Sequence, residues 1–174
     1  GDSCLHSAMS ASRPLCLPLA HYFEGVAEMV HRYDPVAVFL ATDDPEVVEE
    51  MREAVGKMRH PGSPAPPRFL AQDFDRSIFS SNLFVEHAFE GGLVDQGEVA
   101  ERTLLDLMLL SDCDLLVGGL ASQLSRLALA LAADRLGGVP PFISVDSYSW
   151  GRHALEEMAE VADELRVARE HQPA

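Results

Sequence analysis

Short apolar runs, each closed by a turn and followed by a helical period, recur along the chain, and this alternation constrains the fold more than any other feature. Residues 36–41 form a compact, β-branched run between Asp34-Pro35 and Asp44-Pro45. Residues 68–71, 114–117 and 141–145 repeat the pattern. Between them lie helical stretches. In residues 18–33, Leu19, Tyr22, Phe23, Val26, Met29 and Val30 recur at spacings of three and four, which places them on one helical face. Asp44 before Pro45 gives an N-cap followed by proline in the first helical position, with Glu46, Glu49 and Glu50 in the early turns; this helix runs to about residue 58. Residues 60–67 are a proline-rich loop and 73–81 are loop-like. Residues 83–89 predict a short helix ending at Gly91-Gly92, 99–110 a strongly apolar one, 122–136 a long Ala/Leu helix stopped by Gly137-Gly138, and 151–169 an amphipathic acidic helix.

Buried strands separated by helices predict an α/β fold with a Rossmann-like, doubly wound parallel sheet. The 174 residues suit a single domain spanning 1–174. No apolar run reaches the ~20 residues of a bilayer-spanning helix. With 28 acidic against 13 basic side chains, the net charge of −15 disfavours wrapping a nucleic acid, whereas a small nucleotide responds to the local field. The chain opens at Gly1 without an initiator methionine and reads as part of a longer polypeptide.

In such sheets ligands sit at the carboxyl ends of the strands, beside helix N-termini. Two strand ends carry suitable chemistry. After the first strand comes Ala41-Thr42-Asp43-Asp44, where Asp44 suits an N-cap. Asp43 is not needed for capping, and its carboxylate could accept hydrogen bonds from a sugar, a ribose or a neighbouring arginine. After residues 114–117 comes Gly118-Gly119-Leu120-Ala121-Ser122-Gln123. Glycines there allow close backbone approach, the new helix offers free N–H groups to a phosphate, Ser122 adds a hydroxyl, and Arg126 follows one turn later. A tight strand-to-helix turn is the purely structural alternative. Asp106, set among leucines at 104–110, is either an acid on the polar stripe of its helix or a carboxylate that reads the N–H edge of a guanine. Asp146 and Trp150 follow the last strand and could edge a site, with a plain turn as the simpler account.

The seven histidines lack metal-binding spacing, and no cysteine pair has zinc-finger spacing. No Gly-x-Ser-x-Gly elbow occurs. Of the three cysteines, Cys4 and Cys16 either close a disulfide in an oxidising compartment or remain reduced with Cys113.

Taken in order, three stretches resemble the C-terminal half of α-1,6-fucosyltransferases, the core fucosyltransferases of N-glycans and their chitooligosaccharide-modifying bacterial relatives. They are residues 38–45 (Val-Phe-Leu-Ala-Thr-Asp-Asp-Pro), Leu104-Leu105-Asp106 with Leu110-Ser111, and residues 114–117 continuing to Ser122-Gln123 and Arg126. Residues 143–146 fit the family's final strand segment, and similarity is poor across 56–98. The resemblance implies the C-terminal half of a GT-B glycosyltransferase. It implies inverting, metal-independent transfer of fucose from GDP-fucose to a glycan hydroxyl, α-1,6 to N-acetylglucosamine, with no cofactor. By position Asp43 and Asp44 would belong to the donor site, Asp106 would read guanine, and Ser122, Gln123 and Arg126 would face the diphosphate. Asp2 would be the acid of the family's Arg-Arg-x-Asp motif, whose arginines lie upstream of Gly1, so the isolated chain is expected to be inactive. Position 121 is Ala where a second Ser is usual.

The implied setting is the Golgi or secretory lumen, with any membrane anchor N-terminal to this chain and a Cys4–Cys16 disulfide. The implied partners are the nucleotide-sugar donor and a glycan acceptor, with the oligomeric state open. The competing expectations are a protein O-fucosyltransferase-like enzyme and a non-catalytic nucleotide-binding or interaction module.

Overall fold

The computed structural model describes residues 17–76, 92 and 95–146. Asp2, Cys4, Cys16, the helices expected at 83–89 and 151–169, and the end of the 73–81 loop lie outside the described residues.

The chain alternates α1 (Leu19–Tyr33), β1 (Ala37–Leu40), α2 (Pro45–Lys57), β2 (Arg68–Ala71), α3 (Gln96–Ser111), β3 (Leu116–Gly118), α4 (Gln123–Leu136) and β4 (Phe142–Ser144). α1 ends where Asp34 turns left-handed (φ 48°, ψ 55°) and its N–H donates to the Val30 carbonyl. α2 starts as its sequence dictates: Asp44 Oδ1 accepts from the backbone of Glu46 at 2.9 Å and Val47 at 3.4 Å, and Pro45 needs no acceptor. Asp95 caps α3 in the same way, accepting from Gly97 at 2.7 Å and Glu98 at 3.1 Å. α4 is capped by Ser122 and ends at Gly137, whose positive φ of 71° suits a residue without a Cβ.

The sequence predicts one continuous parallel sheet; the strands instead form two separate parallel pairs, β1–β2 and β3–β4. The registers run Ala37 opposite Arg68 to Leu40 opposite Ala71, and Leu116 opposite Phe142 to Gly118 opposite Ser144. The α/β character therefore stands, with the sheet divided between β1 and β3.

α1 bridges the division. A Cβ on Gly25 would sit 2.8 Å from Val117 Cγ1 and 3.4 Å from Ile143 Cγ2, so α1 lies directly on β3 and β4. Among the described residues the buried apolar side chains are Met29 and Val30 from α1, Val48, Met51 and Val55 from α2, and Ala128 and Ala132 from α4. In α2 these fall at intervals of three and four, one face of the helix.

α3 is the strongly apolar helix expected at 99–110, yet none of its residues is fully buried, and Leu104 and Met108 are 59% and 63% exposed. It packs chiefly on α4. Arg135 from α4 secures the junction, donating to the carbonyls of Ser111 at 3.1 Å, Asp112 at 3.1 Å and Cys113 at 2.9 Å. The guanidinium thereby satisfies carbonyls at the helix end that have no helical partner.

Candidate functional site

Both strand pairs point the same way. Near the start of α1, the Tyr22 hydroxyl is 3.6 Å from a Cβ built on Gly119, just past β3, while Gly25 meets Val117 within β3. α1 thus runs antiparallel to β3. The joint of Asp34, Pro35 and Val36 is only three residues long, and from its shortness we infer that the chain turns back there, with β1 opposing α1 and parallel to β3. The carboxyl ends of all four strands consequently share one side of the molecule. Two polar clusters stand there.

The first lies at the β3–α4 turn. The chain turns after Gly118 and Gly119, with the Ser122 N–H donating to the Gly119 carbonyl at 3.0 Å. Above this turn sits the carboxylate of Asp146, just beyond β4. Its Oδ1 accepts from the Leu120 N–H at 2.8 Å and the Ser144 hydroxyl at 2.8 Å, and its Oδ2 from the Ala121 N–H at 2.6 Å. Gly119 is required by closeness, since a Cβ there would come 2.8 Å from Asp146 Oδ2. Burial pushes the Asp146 carboxyl upward, but the hydrogen bonds from Ala121, Ser144, Leu120 and its own N–H together outweigh burial and hold it below the ordinary carboxylate value. Tyr22, half-buried beside it, is raised by that burial and secondarily by the Asp146 charge.

The second cluster joins the ends of β1 and β2 to α3. Gln72, immediately after β2, is buried; its Nε2 donates to Asp106 Oδ1 at 2.5 Å and to the Arg102 carbonyl at 2.9 Å. Its Oε1 is buried without a hydrogen-bond donor. Arg76, also buried, donates from Nε to the Thr42 carbonyl at 3.1 Å and from Nη2 to the Gln72 carbonyl at 2.8 Å. Its guanidinium lies 4.2 Å from the centre of the Phe74 ring, with that of Arg102 at 5.7 Å. Asp106 is half-buried, and desolvation raises its carboxyl above the ordinary value, opposed by the Gln72 hydrogen bond and the Arg76 charge.

The residues singled out in the sequence divide between these clusters. Asp106 belongs to the second. Asp44 caps α2, and its N–H donates to Thr42 Oγ1 at 3.2 Å; half-buried Asp43 precedes it in the same loop. Ser122 accepts weakly from the Ser125 N–H at 3.5 Å as the α4 cap, with Gln123 and Arg126 on the first turn of that helix. Sequence reasoning missed Gln72, Phe74 and Arg76, which sit in a stretch that carries no periodicity. For Asp146 the sequence offers the edge of a site but favours a plain turn; its carboxylate closes the glycine turn.

Among the described residues no group of three or more His, Cys, Asp or Glu side chains is placed to hold a metal ion, and no helix is long and apolar enough to cross a membrane. Comparison with family models, with curated proteins and with solved structures finds no match.

Proposed function

We propose that this chain is the nucleotide-sugar-binding half of a fucosyltransferase, the C-terminal Rossmann-like half of a GT-B enzyme. On this reading the two parallel pairs are halves of one doubly wound sheet, and GDP-fucose lies across their carboxyl ends. The observation that carries it is the contact between Asp146 and the N–H groups of Leu120 and Ala121. The turn is an oxyanion receptor already filled by a carboxylate, and a diphosphate is the larger anion of the same chemistry.

In this scheme the diphosphate displaces Asp146. The departing GDP gathers negative charge as fucose moves with inversion to a glycan hydroxyl, α-1,6 to N-acetylglucosamine. Fixed N–H donors and the Ser122 hydroxyl stabilise that charge, with Gln123 and Arg126 beside them. Asp43 and Asp44 border the sugar, and Asp2 is assigned to the donor site by its place in the motif alone. Asp106 accepts from the guanine N–H edge, its carboxylate oriented by Gln72. No metal is required, the donor being the only small molecule called for, and the setting is the Golgi or secretory lumen. A glycan acceptor distinguishes this enzyme from a protein O-fucosyltransferase.

The Asp146 contact also supports a second reading, a non-catalytic module in which the carboxylate occupies the receptor permanently. Titration with GDP separates the two. Displacement of Asp146 shifts the Leu120 and Ala121 amide resonances, and Asp106→Ala weakens GDP binding by about 1–3 kcal/mol through lost hydrogen bonds to a charged group. Unmoved amides at saturating GDP reject the donor site. A chain extended upstream, given GDP-fucose and a chitobiose-containing acceptor, releases GDP on the enzymatic reading and none on the other.

A further inference from the structure

β1 and β3 belong to separate two-stranded sheets, and among the described residues no backbone hydrogen bond joins them. Between them runs a cleft of about 700 Å³ that follows both strands from Pro35 to Ala41 and from Cys113 to Gly119. Helices close its two faces: Val26, Met29 and Val30 from α1 and Met51 from α2, with Leu110 from α3 and Leu124 from α4.

The strand edges along the cleft have a defined polarity. The Val36 carbonyl accepts from the Arg68 N–H, so Val36, Val38 and Leu40 direct their backbone groups to β2. Alternation then turns those of Ala37 and Phe39 toward the cleft. On the other wall the Leu116 N–H donates to Pro141 and the Gly118 carbonyl accepts from Val145, which turns Leu115 and Val117 toward the cleft. Two parallel rows of donors and acceptors therefore face each other across an apolar space, an arrangement that costs free energy unless something pairs with both.

We propose that the cleft is the seat of a fifth, central strand that runs parallel to β1 and β3 and pairs with Ala37 and Phe39 on one side and Leu115 and Val117 on the other. At ordinary strand spacing, layer spacing and rise, one residue in a covered sheet fills roughly 160 Å³, so the cleft holds about four residues. That equals the four residues of β1. Helices on both faces require the strand to be a continuous apolar run rather than an alternating one.

Its connection follows from the position of α1. A parallel strand that leads through α1 into the adjacent β1 makes a strand–helix–strand unit, and α1 lies against the β3 wall of the cleft, where Gly25 meets Val117, directly before β1. Ahead of α1 the longest run of aliphatic, aromatic or sulfur-bearing side chains is Leu15-Cys16-Leu17, closed on both sides by Pro14 and Pro18, which lack the N–H a central strand needs. The strand is therefore assigned to polypeptide N-terminal to Gly1. The inference rests on backbone pairing and is independent of the nucleotide reading.

The test adds the strand as a separate peptide, acetyl-Ser-Val-Ile-Val-Val-Ser-amide, to the 174-residue chain and follows amide hydrogen exchange. A central strand protects Phe39 and Val117 together, by tenfold or more. Two N-methylated versions of the peptide, each blocking one alternate set of amides, both lose binding, because a central strand uses both of its edges. Protection at only one wall, or binding that survives either methylation, means addition at an outer sheet edge and overturns the proposal. Absence of protection with the parent peptide overturns it equally. A chain extended upstream through its own apolar run supplies the same readout without added peptide, and there Phe39 and Val117 exchange slowly if the assignment is right.

Discussion

Asp146 Oδ2 lies 2.6 Å from the backbone nitrogen of Ala121, so a carboxylate at the end of one strand closes the turn after its neighbour. The contact ties β4 to the start of α4 and fixes the peptide planes of the glycine turn. Loss of the carboxylate leaves the Leu120 and Ala121 N–H groups without their acceptor.

Asp146→Ala is therefore expected to lower stability by about 1–2 kcal/mol in urea denaturation at pH 7, with Asp146→Asn in between, since an amide oxygen replaces only part of the pairing. The pH dependence has a definite sign. The folded carboxyl titrates below the ordinary value of about 3.9, so the unfolded chain takes up the proton first on acidification. The contribution is present above about pH 4 and is lost as pH falls through the lower folded value. The stability gap between the parent chain and Asp146→Asn should narrow in that acid range; a constant gap would show that the charge contributes nothing.

Asp106 behaves oppositely. Its carboxyl is raised by burial, so the folded state takes up the proton first, and its favourable contribution is present below about pH 4 and lost as pH rises through the folded value. At pH 7 the charge opposes folding. Asp106→Asn keeps an acceptor for Gln72 Nε2 and should leave stability unchanged or raise it by up to about 1 kcal/mol, whereas Asp106→Leu strands that donor and costs about 1–2 kcal/mol. Denaturation of both variants between pH 4 and pH 8 measures this, and a large loss in the Asn variant contradicts it.

Arg76 connects the end of β1 to the end of β2 through the Thr42 and Gln72 carbonyls. Arg76→Met retains the stem over Phe74 but removes both donors, at a cost of about 2–4 kcal/mol. Arg76→Lys recovers less than half of that, because a single ammonium cannot reproduce the planar fork that reaches two carbonyls. Equal stability of the Lys variant and the parent chain would reduce this bridge to a generic positive charge.

Gly25 tests the seat of α1. Alanine would improve helix propensity by about 1 kcal/mol, yet its Cβ would come 2.8 Å from Val117 Cγ1. Overpacking of this kind costs about 1–3 kcal/mol, so the net effect of Gly25→Ala is destabilising by about 1 kcal/mol. Gly25→Ala combined with Val117→Ala should recover the lost stability, measured as a double-mutant cycle.

Local chemistry was the legible part of the sequence. Asp44-Pro45 announces the start of α2 because capping depends on adjacent residues alone, and residues 68–71 coincide with β2 because a short apolar run between turns has few alternatives. Long-range pairing left no such trace. The acceptor for the glycine turn is supplied by Asp146, 25 residues beyond Ala121, and Asp106 meets a glutamine 34 residues earlier. Nothing in the spacing of either pair distinguishes them from solvated acids. The leucines of α3 announce the helix but not its exposure: apolar composition signals what a helix tends to bury, not what the described residues place against it.

The joint between α1 and β1 sets a phase. With only Asp34, Pro35 and Val36 between helix and strand, there is no slack in which to absorb an extra residue. One inserted amino acid would exchange the two backbone rows of β1, aiming at β2 the groups that now face the cleft and inverting its side chains as well. A single codon at this hinge therefore governs both edges of β1 at once, and deletions or insertions there should be far less tolerable than changes in the proline-rich loop before β2.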